Sequence, residues 1–527
     1  MTDEGNRQQS LEALMTREIR SLPVCDSLDH IAALIDAAFD ARSSTGTDRG
    51  FALLDELEEC GLSDHDAALL HYFRANAWEN RRHERDDYDV WSWEQPEAQA
   101  QILELRRAAR HAGFGELPTI RQCQILTNLA GQLSSIGRFI EAIALWDRVL
   151  GIDDSFAMAH GNRGIGVNSY ANALYDPGHA GLMRVAAYDS LAAATAADAV
   201  YDSAGHQPAR TQFENLKEVI ARHVDVNAVR RTVDLDNHSL GETAEERAYR
   251  AWCLRERLFI NPLNDLGPLP IAARDILTLP SLTTTSSSAR MPPVIGFFNQ
   301  MKQEFVSARY QFYDGLHSDG VHFSDRGVLL YNTLDYPAYG LAVEKMRTAF
   351  RIAYSVFDKI GFFLNAYLGI GREPQDVSFR RVWYKPKSKK YVLAPRFATH
   401  PNWPLRGLFW LARDIFEDDF RLVTEPDAED IAANRNHLEH RYLQVHENLD
   451  RSTPVEDSTD DDTKGLARAL SREEFATSTL RLLQLVRGAL IYLSLAVHRE
   501  ESAKSIVGDR DLVMPMLLDR WDDDWKL

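Results

Sequence analysis

Apolar residues recur along most of the chain at spacings of three and four, which is the pattern of amphipathic helices. Alternating apolar and polar residues bounded by turn signals, the mark of a β-sheet, do not follow one another anywhere in the sequence. Short strands are expected only near 321–331 and 378–394. The pattern therefore predicts an all-α protein.

The clearest local repeat runs from Asn128 to Ser155, where two apolar helical patterns are joined by a turn at Gly137. The positions of its small, aromatic and alanine residues resemble a tetratricopeptide (TPR) unit. One such unit cannot bury its own apolar face, so neighbouring units are expected, and weaker candidates lie at 67–81 and 157–197. TPR-like repeats of this kind are a candidate surface for a protein or peptide partner.

Four helical patterns in the C-terminal part of the chain predict a helical bundle. Ser471 and Glu474 have the spacing of a capping box, which marks the start of the last of these helices. The four predicted helices cover about 341–368, 405–416, 426–449 and 471–498.

These patterns divide the chain into four parts. Between the repeats and the bundle lies a connector, which ends in a Ser/Thr/Pro-rich stretch that is typical of a loop. The predicted parts are an N-terminal helical segment (1–50), a TPR-like repeat region (51–230), the connector (231–293) and the bundle domain (294–527).

Composition limits the classes of function. The 527 residues carry a net charge of −19, which favours solubility and argues against broad, non-specific binding of nucleic acid. RNA binding would therefore need a local basic patch. No signal peptide and no run of about 18 apolar residues is found, so we expect no membrane span, and the apolar run at 482–497 should be a core helix. Four scattered cysteines without a C-x-x-C pair fit a cytoplasmic protein.

The third predicted bundle helix carries the residues most suited to chemistry. Asn436 and His440 are four residues apart and lie together on a helical wheel, with Arg435 beside them. They lie roughly opposite an apolar stripe that should face the bundle core. That stripe consists of Ile431, Leu438, Tyr442, Val445 and Leu449.

Such a polar set suits RNA cleavage without a metal. An imidazole can remove the proton of a ribose 2′-OH, and a guanidinium can hold the scissile phosphate and the charge that develops on it. If this helix face met the same face of a second chain, two Arg/Asn/His sets would line one symmetric cleft. We therefore expect a homodimer formed through the bundle domain.

The sequence RNHLEH at 435–440 resembles the R-N-x-x-x-H form of the R-x4–6-H motif of the HEPN superfamily. Further segments, from Trp252-Cys253 and Asn261–Asn264 through 299–310, 357–367 and 404–416, resemble a bacterial family in which a HEPN domain is fused to TPR repeats. The resemblance implies a helical, commonly dimeric domain. Many HEPN proteins are RNases of toxin–antitoxin, abortive-infection and CRISPR systems.

Carried over to this chain, the resemblance implies that His440 is the base, that Arg435 clamps the phosphate and that Asn436 orients them. It predicts a metal-independent endoribonuclease of prokaryotic defence or growth arrest. The alternative is a non-catalytic TPR/HEPN scaffold that binds RNA or protein. Chance matches to R-x4-H also occur, at Arg106 with His111 and at Arg441 with His446.

Residues 372–396 are strongly basic for so acidic a chain, and aromatic residues interleave with the cations. Such a segment can follow a phosphate backbone and stack bases. It is equally typical of a solvated edge hairpin on which lysines prevent aggregation. The candidate RNA-binding residues are Arg380, Arg381, Lys385, Lys387, Lys389, Lys390 and Trp383.

Two further sets of polar residues are candidates for the site. Asp358, Lys359 and Asn365 lie among core positions of the first long bundle helix, and they are candidates to face the same cleft as His440. His437 and His440 have a spacing that can chelate a metal, but no carboxylate or cysteine completes a ligand set. No metal and no cofactor is predicted.

Overall fold

The computed structural model describes residues 11–526 except 21, 88, 202–206, 284–292, 333, 387–390, 417–430, 432, 436, 439–440, 448–466, 508–517 and 522. Helices dominate the described part of the chain, so the predicted all-α class is confirmed, apart from one small two-stranded sheet.

The N-terminal half is a succession of helices whose neighbours pack against each other. Ser43 and Ser63 show how they begin: each hydroxyl accepts a hydrogen bond from a backbone N–H in the first turn, which satisfies a donor that the helix leaves free. These helices are α1 (Val24–Ala41), α2 (Ser44–Glu58), α3 (Asp64–His83), α4 (Pro96–Arg110), α5 (Thr119–Ser135), α6 (Phe139–Ile152), α7 (Ala157–Ala173), α8 (Pro177–Ala194), α9 (Gln207–His223) and α10 (Val226–Thr232).

The helix–turn–helix predicted around Gly137 is present as α5 and α6. Gly137 has a φ of 95°, in the left-handed region that glycine adopts at little cost. The helices predicted at 67–81 and 157–197 are also present, as α3 and as α7 with α8. The arrangement fits a helical repeat, and its identity as TPR units stays a prediction.

The C-terminal half is a helical bundle built around one long apolar helix. The predicted helices at 341–368, 405–416 and 471–498 are confirmed, and Ser471 forms the capping box with Glu474. These elements and the helices before them are α11 (Ala244–Arg255), α12 (Pro293–His317), α13 (Leu341–Tyr367), α14 (Trp403–Phe416) and α15 (Arg472–Val507).

The predicted third bundle helix, 426–449, is wrong in its second half. Described positions between 431 and 438 are helical, but Tyr442–His446 forms strand β1, which pairs in parallel with β2 (Ala467–Ser471). Alternation explains the strand, because Leu443 and Val445 are buried on one face. No strand occurs at 321–331 among the described residues, and 378–394 contains only a bridge between Tyr384 and Leu393.

The sequence pattern predicted 426–449 as one of the four bundle helices. In the structure, α12 is the fourth long helix of the bundle. It packs along α13, and both helices contact α15. Helix α15 has a segment long and apolar enough to cross a membrane, but most of that segment is buried inside the protein. The expectation of a core helix at 482–497 is therefore confirmed.

Buried polar contacts join the helical repeats, the connector and the bundle. Asp414 on α14 accepts hydrogen bonds from Arg106 on α4 and from Arg138 at the turn before α6. Asp265 in the connector is fully buried and pairs with Arg487 on α15. The repeat helices thus pack directly on the bundle, and oppositely charged side chains pair at the contact. Each of these buried charges would destabilise the fold without its partner.

Candidate functional site

The described part of the motif segment, between Ile431 and Leu438, packs against helix α13. Ile431 and Leu438 are buried, as the apolar stripe predicts. Arg351 on α13 donates a hydrogen bond from Nη2 to the carbonyl oxygen of Leu438 at 2.7 Å. This contact ties the end of the segment to α13.

Arg435 is half-buried against the same helix. Its guanidinium carbon lies 5.2 Å from the ring centroid of Tyr354, which is within cation–π distance. An aromatic face attracts a guanidinium without removing its positive charge.

Asp358 lies one turn beyond Tyr354, and the charge of Arg435 acts to lower the pKa of its carboxyl. Burial raises the pKa of the Asp358 carboxyl, while the N–H of Phe379 and the positive charge of Arg435 act in the opposite direction. The Phe379 N–H lies 3.4 Å from Oδ1 of Asp358. Asp358 is therefore near both the charge of Arg435 and the start of the basic segment, and its predicted accessory role stays a prediction.

The other two predicted accessory residues have structural partners. Lys359 forms an ion pair with Glu304 on α12. Asn365 donates to the carbonyl oxygen of Arg372 at 3.0 Å and accepts its N–H at 2.9 Å, which closes the loop after α13. Both side chains thus make contacts within the HEPN domain, and their predicted accessory role beside His440 stays a prediction.

Asn436 and His440 lie outside the described residues, so their positions relative to Arg435 stay a prediction. His437 is described, and its Nδ1 lies 2.8 Å from the carbonyl oxygen of Ala433 in the preceding turn. A histidine that is bound to its own helix in this way is typical of a structural residue.

The basic segment divides into a buried part and an exposed part. Trp383 is fully buried, and its Nε1–H donates to the carbonyl oxygen of Phe379 at 2.8 Å. Its predicted role in stacking a base is therefore wrong, because the indole packs among Trp93, Phe397 and Phe409. The tryptophan belongs to the aromatic core below the segment.

The exposed part retains cations. Arg381 and Lys385 are exposed, and Arg380 is half-buried over the ring of Tyr391 at 4.5 Å. Lys387, Lys389 and Lys390 lie outside the described residues. The described cations follow Phe379, which contacts Asp358, so the exposed charges begin close to the Arg435 side chain.

The two chance matches to R-x4-H have other roles. Arg106 is buried and forms two hydrogen bonds with Asp414. His446 is buried in β1, whereas Arg441 is exposed just before the strand. Neither pair resembles the surroundings of Arg435.

Sequence reasoning missed Arg351 and Tyr354 as neighbours of the motif. The signal that could have found them is their spacing with Asp358 on α13: Arg351, Tyr354 and Asp358 are three and four residues apart and therefore share a helix face. Among the residues that the structure describes, no group of three or more His, Cys, Asp or Glu side chains could hold a metal ion.

The comparison with protein families agrees with the assignment of the bundle as a HEPN domain. Residues 285–500 match the model of the LA2681-like HEPN family. No curated protein and no solved structure matches the chain. The match spans α12 to α15 and includes Arg435, Asn436 and His440. Residues 285–500 of the chain are therefore a HEPN domain, and this domain is similar to the LA2681-like HEPN family.

Proposed function

We propose that this protein is a metal-independent endoribonuclease whose site is formed by Arg435, Asn436 and His440. The proposal rests on the HEPN domain and, within it, on one observation. The Arg435 guanidinium is held over the Tyr354 ring and near Asp358, at the beginning of an exposed basic segment.

The reaction needs only a base and a cation. His440 takes the proton of the ribose 2′-OH, and the 2′-oxygen attacks the adjacent phosphorus. The bond from phosphorus to the 5′-oxygen breaks, and the leaving oxygen takes a proton from the imidazolium or from water. Arg435 stabilises the charge on the phosphoryl oxygens, and Asn436 orients the reacting groups. The products are a 2′,3′-cyclic phosphate and a free 5′-OH.

Support for Arg435 as the phosphate clamp comes from its surroundings. An arginine that merely closed a surface ion pair would contribute only a few tenths of a kcal/mol, ~0.3–0.5 for a helical pair. Arg435 packs on an aromatic ring of α13, and Arg351 of the same helix bonds the carbonyl oxygen of Leu438 nearby. A half-buried cation whose position is supported by an aromatic ring is suited to hold a phosphate in one place.

Substrate binding is assigned to the basic segment. Arg381 and Lys385 are exposed and belong to the stretch that begins at Phe379, next to Asp358. Two such cations can follow the backbone of a single-stranded RNA that enters the site. The helical repeats would then recruit a protein or peptide partner, and two copies of the chain would pair through the HEPN domain. Prokaryotic defence or growth arrest, in the cytoplasm, is the proposed setting.

The test is cleavage of a mixed RNA pool in EDTA by the wild type, Arg435→Ala and His440→Ala. We expect cleavage with cyclic-phosphate ends by the wild type and at least a 100-fold loss in both variants. Arg441→Ala is the matched control, because this arginine is exposed and lies in the same segment. It should cleave like the wild type.

Two results would contradict the proposal. Equal cleavage by all four proteins would point to another site or to a contaminant. RNA binding by the wild type without cleavage, unchanged in His440→Ala, would favour the non-catalytic scaffold instead.

A further inference from the structure

Two arginines on one face of α13 are bonded to the backbone on either side of residues 439–442. Arg351 donates from Nη2 to the carbonyl oxygen of Leu438 at 2.7 Å. One turn earlier on α13, Arg347 donates from Nη2 to the carbonyl oxygen of Leu443, also at 2.7 Å. The chain is therefore attached to α13 immediately before and immediately after this short stretch.

The carbonyl group of Leu438 needs a partner because the helix of the motif segment ends there. The Arg441 N–H makes a helical bond to the carbonyl oxygen of His437 at 3.0 Å. The N–H that a longer helix would bring to Leu438 is that of Tyr442, which already belongs to β1. Arg351 supplies a donor in its place, so its side chain fixes the point at which the chain changes from helix to strand.

Arg347 has the corresponding task at the start of the strand. The carbonyl groups of Leu443 and Val445 are two residues apart, so they lie along the same edge of β1. Arg347 bonds the first of them, and the Ala338 N–H bonds the second at 2.6 Å. The sheet has two strands in the described part of the chain, so this edge is held by a side chain and a loop and not by a third strand.

Both arginines act on the backbone of the segment and not on a substrate. Only 11% of the Arg347 side chain is exposed, and its Nη1 pairs with Glu344 while its Nη2 bonds Leu443. Arg347 therefore offers neither terminal nitrogen to a phosphate. Arg351 is exposed, but its Nη2 bond points to the backbone. A guanidinium suits this task because its planar fork fixes the direction of each hydrogen bond.

We propose that Arg347 and Arg351 are positioning residues of the proposed HEPN site. Arg435 rests on Tyr354, which shares their face of α13, and His440 lies in the sequence between the two bonded carbonyl groups. The two arginines therefore hold the base on the helix that also supports the phosphate clamp. The inference rests on the proposed function for the roles of base and clamp.

RNA cleavage should depend steeply on this attachment. A displacement of about 1 Å in a reacting group can lower a rate by ~100-fold. The loss should fall on kcat, because the RNA binding that we assign to the basic segment uses neither Arg347 nor Arg351. A residue that held RNA directly would raise KM when it is removed.

The first experiment measures cleavage of one defined single-stranded RNA in EDTA by the full-length chain. We expect Arg351→Met to lower kcat at least 10-fold and to leave KM within twofold of the wild type. Arg351→Lys, which keeps a donor for the Leu438 carbonyl, should recover most of the loss. The control is Arg210→Met, which removes a 2.8 Å bond from an arginine to the carbonyl oxygen of Thr195 in the repeat region. It should cleave like the wild type.

A second measurement does not depend on catalysis. Mass spectrometry follows hydrogen exchange of the backbone amides at 433–446 in the full-length chain. We expect exchange in this stretch to rise at least 10-fold in Arg351→Met and in Arg347→Met, and exchange in α15 to stay that of the wild type. The comparison with α15 separates a local loosening from loss of the fold. Arg210→Met should leave exchange at 433–446 unchanged.

The two measurements distinguish this inference from the proposed function. A wild type that never cleaves RNA, with faster exchange at 433–446 in both variants, would contradict the ribonuclease and support the positioning of the segment. Exchange at 433–446 that equals that of the wild type would overturn the inference. So would an Arg351→Met variant that keeps its kcat, or one in which only KM changes.

Discussion

Arg487 in the middle of α15 forms an ion pair with Asp265 of the connector, at 2.5 Å between Nη1 and Oδ1, and both side chains are buried. Arg487 also donates to the carbonyl oxygens of Phe259 and Asn261. The second carboxylate oxygen of Asp265 accepts the hydroxyl of Tyr170 on α7 at 3.0 Å. One buried charge pair thus joins a repeat helix, the connector and the HEPN domain.

Breaking this pair should lower the free energy of unfolding strongly. Arg487→Met leaves the Asp265 carboxylate buried without its cation, which costs ~3–5 kcal/mol for buried pairs in general. Urea unfolding, followed by circular dichroism, measures the change. The control is Arg222→Met, which removes an exposed ion pair with Glu218 and should cost less than ~1 kcal/mol. If Arg487→Met and Arg222→Met lowered the free energy of unfolding equally, the buried ion pair would contribute no more to stability than the exposed one.

The close contact of Gly407 with Gly137 gives a second test of how the repeats pack on the HEPN domain. A Cβ added at Gly407 would overlap the backbone carbonyl group of Gly137. A backbone group cannot rotate away from such a clash as a side chain can. We expect Gly407→Ala to lower the free energy of unfolding by ~1–3 kcal/mol, as overpacking does.

The matched control is Gly488→Ala, also within a helix, where a Cβ would meet nothing closer than 3.9 Å. Alanine favours a helix over glycine by up to ~1 kcal/mol, so this variant should be neutral or more stable. Thermal unfolding of both variants decides the matter. If Gly407→Ala and Gly488→Ala raised the stability equally, the contact between Gly407 and Gly137 would be looser than in the structure.

Asp275 should contribute to stability against acid. Desolvation raises the pKa of its carboxyl, but the charge and hydrogen bonds of Arg309 outweigh that effect and hold the pKa below the usual aspartate range. A depressed pKa stabilises the folded state above the unfolded-state pKa of about 4, and this stabilisation is lost as the pH falls through the folded-state value.

The variant Asp275→Asn tests this linkage. It should lower the free energy of unfolding at pH 7 by ~2 kcal/mol, the scale of hydrogen bonds to charged groups, and should flatten the loss of stability below pH 4. Urea midpoints between pH 2.5 and pH 7 provide the measurement. Glu218→Gln, at an exposed site, should leave the pH profile unchanged. A parallel shift of the whole profile in Asp275→Asn would contradict the linkage.

The exposed cations of the basic segment should act on RNA affinity and not on stability. In an Arg435→Ala background, in which the proposed cleavage should not occur, Arg381→Ala/Lys385→Ala should weaken binding and reduce the slope of log affinity against log salt by about 2. Fluorescence anisotropy with a single-stranded RNA between 50 and 300 mM salt measures both quantities.

The control for RNA binding is Lys217→Ala/Arg222→Ala, which removes two cations from α9 in the repeat region. It should change neither the affinity nor the salt slope by a similar amount. If the control variant weakened binding as much as the variant of the basic segment, binding would reflect the charge of the whole protein rather than a defined path.

The sequence alone determined the helical class, because the spacing of apolar residues is a local property. It predicted α13, α14 and the start of α15 at Ser471, and it placed the turn at Gly137. It also identified the HEPN resemblance, since the R-N-x-x-x-H pattern is contiguous in the chain. The match of residues 285–500 to a HEPN family agrees with that reading.

Tertiary structure decided what depends on residues distant in the chain. Tyr442–His446 satisfies a helical stripe and a strand alternation equally well, and only its pairing with Ala467–Ser471 selects the strand. The sequence around Trp383 predicts an exposed aromatic residue among cations. The fold buries it instead, because Trp93, more than 250 residues earlier, packs against it. Asp265 and Arg487 can be identified as partners only from the fold, which brings them together and buries both. Periodicity can be seen in a local stretch of sequence, but burial depends on residues that are distant in the chain.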